Sequence, residues 1–167
     1  MPGAPDELPL IDSSHAGFIT GAVTISVSSC GAGLMPSMAR ALGCRVSSDR
    51  HLVTLLVSKK QAESLLRHVR ERGVLAVAFS EPASHRAIQL KGSDATCASA
   101  SAADLQLATR YRAMLAQALS QQGLAPQLAE ALLACPATEL ASISFSPSAA
   151  FSQTPGPNAG QALLVHA

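Results

Sequence analysis

Hydrophobic positions along the chain change period several times, and the changes mark out its elements. Between residues 18 and 29, Val23, Ile25 and Val27 alternate with Thr24, Ser26 and Ser28. Period-two alternation rich in β-branched residues predicts a strand with one buried face. Cys30-Gly31-Ala32-Gly33 predicts a tight reversal, because glycine takes the positive φ that hairpins require. A second strand runs over 35–46, Ser47-Ser48-Asp49-Arg50 turns the chain, and a third strand covers 51–57. At Ser58 the period becomes helical, with Ala62, Leu65, Leu66 and Val69 at i, i+3, i+4 and i+7. Ser58 reads as the N-cap of that helix, Gln61 as its capping-box partner and Gly73 as its stop.

A buried strand over 74–80 follows, then a turn at Glu81-Pro82-Ala83-Ser84 and a long strand over 85–98 interrupted at Gly92. Ser101 and Asp104 cap a helix whose stripe is Leu105, Ala108, Tyr111, Leu115 and Leu119, closed by Gly123. Pro126 opens a shorter helix to about residue 134, and 140–145 form the last strand. Residues 1–16 read as a loose arm, 17–153 as one domain and 154–167 as a turn-rich tail. The order β-β-β-α-β-β-α-α-β does not alternate strand with helix, which excludes a doubly wound parallel sheet. Tight turns make the strands antiparallel, and six strands sharing one apolar face predict a small closed barrel with helices, an α+β fold.

Composition narrows the function classes. At 48% hydrophobic and 14% charged residues, 167 residues suffice for a core without covalent staples. Aromatic residues are only 3%, so Leu, Val, Ile and Ala must fill that core. Net charge is +1, with no basic tract interleaved with aromatics, so nucleic acid is not an expected partner. The charge is uneven, however: residues 40–91 hold ten basic and four acidic side chains, which would draw a small anion. Cys30, Cys44, Cys97 and Cys135 form no C-x-x-C pair and read as free thiols in a reducing compartment. The longest apolar run, 74–79, is far short of the roughly 20 residues that span a bilayer. MPGAPDELPLIDSSHAG lacks the basic and apolar regions of a secretory leader, so the expected location is the cytoplasm, away from membranes.

Three segments concentrate the chemistry: Arg40-Ala-Leu-Gly-Cys-Arg45, Thr54-Leu-Leu-Val-Ser58-Lys59-Lys60, and Arg86-Ala-Ile-Gln89-Leu-Lys91-Gly92. A helix N-terminus disfavours cations, so Lys59 and Lys60 behind a Ser58 cap make sense where a phosphate sits. The bland alternative is that both lysines are merely solvated. Arg40 and Arg45 differ by an odd number and would face opposite sides of an ideal strand. A bulge at Gly43 would restore a common face.

The set resembles the FMN-binding split barrel of the pyridoxamine-phosphate oxidases. In that family one strand carries Arg, four residues, then Lys; the next carries Thr and ends in Ser-Arg-Lys; a later one carries Arg-Gln and a Gly. Arg40 and Arg45 match the first, with Arg replacing Lys; Thr54, Ser58, Lys59 and Lys60 match the second; Arg86 and Gly92 match the third. Ala87 stands at the Gln position and Gln89 lies two residues on. The similarity implies FMN as cofactor, its phosphate held by Arg40, Lys59 and Lys60 with Ser58. It places Arg45 and Thr54 against the ribityl or ring system and adds Arg86 and Gln89 to the binding set. It also implies a homodimer with flavin at the subunit interface and a flavin-dependent oxidoreductase acting on a small molecule. The family's C-terminal Trp and Arg-x-His pair are missing, so pyridoxamine phosphate itself is not the expected substrate.

Two other readings stand beside this one: a haem-binding or haem-utilisation split barrel, and a non-catalytic flavin-binding module. No G-x-S-x-G occurs and no metal-ligand spacing links the five histidines, so no hydrolase triad or metal site is expected. The third strand gives an independent reason to dimerise. Leu52, Val53, Leu55, Leu56 and Val57 cannot all point into one barrel, so either a second copy or the 105–119 helix covers the remainder.

Overall fold

The computed structural model describes residues 9–163. Helix α1 (Ser13–Ile19) leads into β1 (Thr24–Cys30), β2 (Pro36–Val46) and β3 (Val53–Ser58), and α2 (Glu63–Arg72) into β4 (Leu75–Ser80), β5 (Ala87–Gly92) and β6 (Thr96–Ser99). Helices α3 (Ala102–Gln121) and α4 (Pro126–Leu133), a 3-10 turn at Ala137–Glu139, β7 (Leu140–Phe145) and β8 (Ala149–Ser152) complete the order. The strands form one antiparallel sheet ordered β6-β7-β3-β2-β1-β4-β5-β8. The expected antiparallel α+β architecture is present, with eight strands where the sequence predicts six.

The two additional strands have separate causes. At Gly92 the chain leaves the β4 side of the sheet, and Thr96 pairs instead with Ser144 of β7. One long strand over 85–98 thereby becomes two, lying near opposite ends of the sheet order. The reason is steric: a Cβ on Gly92 would sit 2.6 Å from Cδ2 of Phe145, so the Phe145 ring closes directly over that backbone. This cross-barrel contact between β7 and β5 shows the sheet curled on itself. The other addition, β8, pairs Gln89 with Phe151 and Leu90 with Ala150. It lies in a short segment that carries no alternation strong enough to read.

Alternation does decide the inside of β1, where Ile25 and Val27 are fully buried and Ser26 is exposed. Val77, Phe79, Ile88, Leu90, Val53, Leu55, Val57, Ile143 and Phe145 complete the wall. Each fully buried side chain of this size contributes about 1.5–3 kcal/mol. Helix α2 packs on β1, β2 and β6 through Leu65, Leu66 and Val69. Its buried His68 meets the Ser37 hydroxyl at 2.8 Å. At the other end of the sequence, α1 occupies ground read as arm and first strand. Asp12 caps it in a capping box with His15, and Ile11 and Ile19 are fully buried.

Two local expectations are corrected. Ser58 is not the N-cap of α2: the helix starts at Glu63 behind Ala62, after a turn closed by Ala62 N–H to the Ser58 carbonyl at 2.8 Å. The Ser58 hydroxyl still accepts the Gln61 N–H at 3.3 Å, so local bonding takes place one turn before the helix proper. The β1–β2 reversal places its positive φ on Leu34 and not on Gly31 or Gly33. Gly31 is required for space, since a Cβ would approach the His68 ring to 2.9 Å. Strand β3 is buried along its whole length within one chain, in keeping with the second of the two coverings expected for it, the 105–119 helix. Leu56 of β3 and Leu107 of α3 flank the same point beside Gly43. Its double-sided apolar pattern therefore does not call for a second copy. Helix α3 itself follows the sequence, capped by Ser101 and Asp104, with Ala108, Tyr111 and Leu115 buried. No described helix is long and apolar enough to cross a membrane.

The Gly92–Phe145 contact is testable. Gly92→Ala should destabilise the protein by about 1–3 kcal/mol, the usual range for overpacking a filled core. Urea unfolding measures this, and an unchanged midpoint would mean that Phe145 moves aside freely.

Candidate functional site

The β2–β3 pair carries most of the residues singled out from the sequence, and a bulge sets their direction. Ala41 pairs with Val57 but Cys44 pairs with Leu55, so β2 holds one extra residue at Leu42–Gly43. Gly43 takes φ 154°, which suits glycine. The insertion reverses the parity of β2. Arg40, one step beyond the Ala41–Val57 pair, comes level with Ser58, and Arg45 pairs with Thr54, all on the outer face.

Sharing a face does not give these side chains one role. Arg45 Nε donates to Asp104 Oδ1 at 2.9 Å, tying β2 to the first turn of α3. Thr54 is buried, its hydroxyl 2.9 Å from that of Ser144 on β7. Both are committed within the fold. Burial pushes the Asp104 carboxyl up, but the Ser101 N–H, the Arg45 guanidinium and the Ser101 hydroxyl together hold it below its ordinary value.

Register sets Arg40 level with Ser58, and Lys59 and Lys60 follow Ser58 directly in the turn after β3. The Ser58 hydroxyl accepts from Gln61 and keeps its own proton to donate. Lys59 Nζ gives one hydrogen bond to the Thr138 carbonyl at 2.9 Å, leaving two N–H groups. Lys60 is exposed and Arg40 half-buried. Neither makes an ion pair among the described residues. Arg40 is near enough to Tyr111 for its charge to oppose the upward push of burial on that phenol. Tyr111 instead donates to the Val23 carbonyl at 2.7 Å. Three cations without an ion pair among the described residues, together with a free hydroxyl proton, form a donor set that suits a phosphate.

From Arg40 a register row crosses the outer sheet face through Ser26, Ala78, Gln89 and Phe151. The next row is Met38, Ser28, Ala76, Lys91 and Ala149. Small side chains dominate the middle of this face, and Ser26, Met38 and Lys91 are exposed. Gln89 accepts from Gln153 Nε2 at 3.3 Å, and Lys91 Nζ lies 5.3 Å from the Phe151 ring centroid. Gln89 is three strands from Arg40, roughly 14 Å at the usual interstrand spacing. Arg86 lies apart from the group, in the β4–β5 connection, where its guanidinium stacks 4.4 Å over the Phe18 ring of α1. Phe151 joins the face through β8, the strand whose pattern was not readable in the sequence, and Gln153 follows directly after it.

No family model matches the chain, and no curated protein does. Solved structures do. HupZ of Group A Streptococcus superposes with a TM-score of 0.54 at 15% identity, over 90% of this chain and 99% of that one. An F420 reductase gives 0.55 at 12% identity, over 84% and 98%. A Lactobacillus delbrueckii protein named provisionally as a pyridoxamine 5'-phosphate oxidase gives 0.50 at 10% identity, over 84% and 93%. What is shared is the fold, and it is the split barrel of the pyridoxamine-phosphate-oxidase-like proteins that the sequence motifs resemble.

The Arg45–Asp104 tie generates a pH-dependent expectation. Asp104→Ala should cost about 1–2 kcal/mol at pH 7, the worth of a helix cap, with the charged partner adding to it. A depressed folded pKa stabilises fully above the unfolded value, near 4, and the contribution is lost as pH falls through the lowered folded value. Urea unfolding of wild type and variant should therefore differ less at pH 3 than at pH 7. An equal gap at both would remove the carboxylate charge from the account.

Proposed function

We propose that the chain binds FMN by its phosphate at Arg40, Ser58, Lys59 and Lys60 and works as a flavin-dependent oxidoreductase in a homodimer. The observation that carries this reading is Arg40 standing level with Ser58, followed by Lys59 and Lys60, at the β2–β3 end of a split barrel beside an uncovered sheet face. Lys59 and Lys60 are exposed and Arg40 is half-buried, so a phosphate can reach them from solvent. A dianionic phosphate would accept charge-assisted hydrogen bonds from these side chains.

The second support is the outer face itself. Ser26, Ser28, Ala76 and Ala78 present little side-chain bulk, so another surface can approach the strands closely. Exposed Leu34, Met35 and Met38 at its β1–β2 edge add an apolar rim. A second copy covering this face would remove that apolar area from water. It would also bring Gln89, whose amide is steadied by Gln153, into a protein interior. Bound FMN supplies hydride or electron transfer; the chain supplies anchorage, orientation and exclusion of water. Arg45 and Thr54 contribute by fixing α3 and β7 against the strands that carry the cluster.

Fluorescence titration tests the phosphate site. The wild type should bind FMN much more tightly than riboflavin, and Lys60→Ala should weaken FMN by about 1.5–3 kcal/mol while leaving riboflavin unchanged. Equal affinity of the wild type for both flavins would remove the phosphate site. A Soret band in the purified protein, without flavin bands, would replace this reading with the haem one. Light scattering tests the assembly: Ala78→Arg should convert a dimer to a monomer, and a wild-type monomer at micromolar concentration would overturn the paired arrangement.

A further inference from the structure

Where the outer sheet face ends beside α2, the strands leave a cleft of about 330 Å³. Strand register builds it. Ser28 of β1 pairs with Ala76 of β4 and Ala76 with Lys91 of β5, while Cys30 pairs with Pro36 of β2. Val74 and Leu75, at the entry to β4, complete the apolar part of the lining with Pro36 and Ala76. The hydroxyls there are turned to the backbone: Ser28 donates to the Ala76 carbonyl at 3.3 Å and Ser29 to the Val74 carbonyl at 2.6 Å. Two cations meet the cleft from the solvent side. Lys91 lines it and is exposed, its Nζ 5.3 Å from the Phe151 ring centroid. Arg72, exposed on α2, brings Nη1 to 3.0 Å from Sγ of Cys30, a lining residue, and to 3.2 Å from the Gly31 carbonyl. None of the described lining residues is acidic, and the Glu71 carboxylate beside Arg72 stands 4.0 Å from Arg67 Nε.

An accessible cation beside apolar walls recognises two things at once, since the charge attracts an anion and the walls gain from covering carbon. We propose that this cleft binds an aromatic monocarboxylate. The ring lies over Ser28 and Ala76 against Pro36 and Val74, and the carboxylate meets Lys91 from the solvent side. Each property of that class answers a feature of the cleft. Ser28 and Ala76 are small neighbours on the sheet, so a flat ring covers them fully, whereas an alkyl chain of equal carbon count gives up rotamer freedom to lie flat. Lys91 is the one charged side chain among the described lining residues, which suits a single negative charge. Arg72 is held at Cys30 and Gly31 and adds a positive field without taking the ligand itself. The volume lies at the small end of ligand pockets, the scale of one or two fused rings. Arg40 and Pro36 stand four residues apart on β2, so about 13 Å separates the cleft from the proposed phosphate anchorage. The inference therefore does not rest on the flavin reading. The described lining residues belong to one chain, so it does not rest on the dimer either.

The experiment titrates the purified full chain with sodium 2-naphthoate, following ligand fluorescence and, by mass spectrometry, the alkylation of each cysteine by iodoacetamide. Binding should saturate and should slow alkylation of Cys30, while Cys97 and Cys135 react as before. Lys91→Met should weaken the affinity about fivefold, the upper worth of an exposed charge pair, and Lys91→Arg should restore it. The neutral analogue 2-naphthylmethanol should lose a similar factor on the wild type. Ala76→Leu, which fills the cleft, should abolish binding while circular dichroism shows the fold retained. Absence of saturable binding, equal affinity for the neutral analogue, no effect of Lys91→Met and Ala76→Leu, or equal shielding of all three cysteines would each overturn the proposal. Excess FMN should leave the affinity unchanged, and competition between the two would overturn a separate site. Mass by light scattering should not change at saturation. A fall to half would show that a second copy already fills the cleft, and would overturn the proposal as well.

Discussion

One inserted residue at Leu42–Gly43 governs the organisation of this molecule. An antiparallel strand has a strict period of two, so without the bulge Arg40 and Arg45 would face opposite sides. With it, both turn outward, level with Ser58 and Thr54. Arg45 then reaches Asp104 and fixes the start of α3, while Arg40 stands beside the turn that carries Lys59 and Lys60. Glycine at the bulge serves two needs, since its backbone angle is one L side chains rarely adopt and Leu56 and Leu107 close over it.

Helix α3 is the second consequence. It packs on β2 and brings Leu107 to the same point beside Gly43 as Leu56, while β3 is buried along its whole length. Hydrophobic demand on that side is therefore met inside one chain, and the bare surface is moved to the β2-β1-β4-β5-β8 face.

The barrel closes through a different device. Phe145 reaches across the interior to the backbone at Gly92, and the chain breaks from β5 to β6 at that point. With few aromatic residues available, one ring placed against a glycine fills space that aliphatic side chains would leave open. The two strands that follow each other in sequence consequently line different parts of the wall.

The sequence alone determined the local patterns that depend on short spacings. The alternation at Ile25 and Val27, the Ser101–Asp104 cap, the Pro126 helix start and the β7 strand all follow from interactions within a few residues. Tertiary structure decided whatever required knowing a distant neighbour. The fate of Arg45 rests on Asp104, that of Thr54 on Ser144 and that of Arg86 on Phe18, contacts spanning 59, 90 and 68 positions of chain. The same holds for the end of β5, which a ring 53 residues away dictates, and for β8, a four-residue strand stabilised by pairing and not by its own pattern. Local sequence fixes periodicity and caps; only the folded chain says which side chain is already satisfied and which remains free to bind.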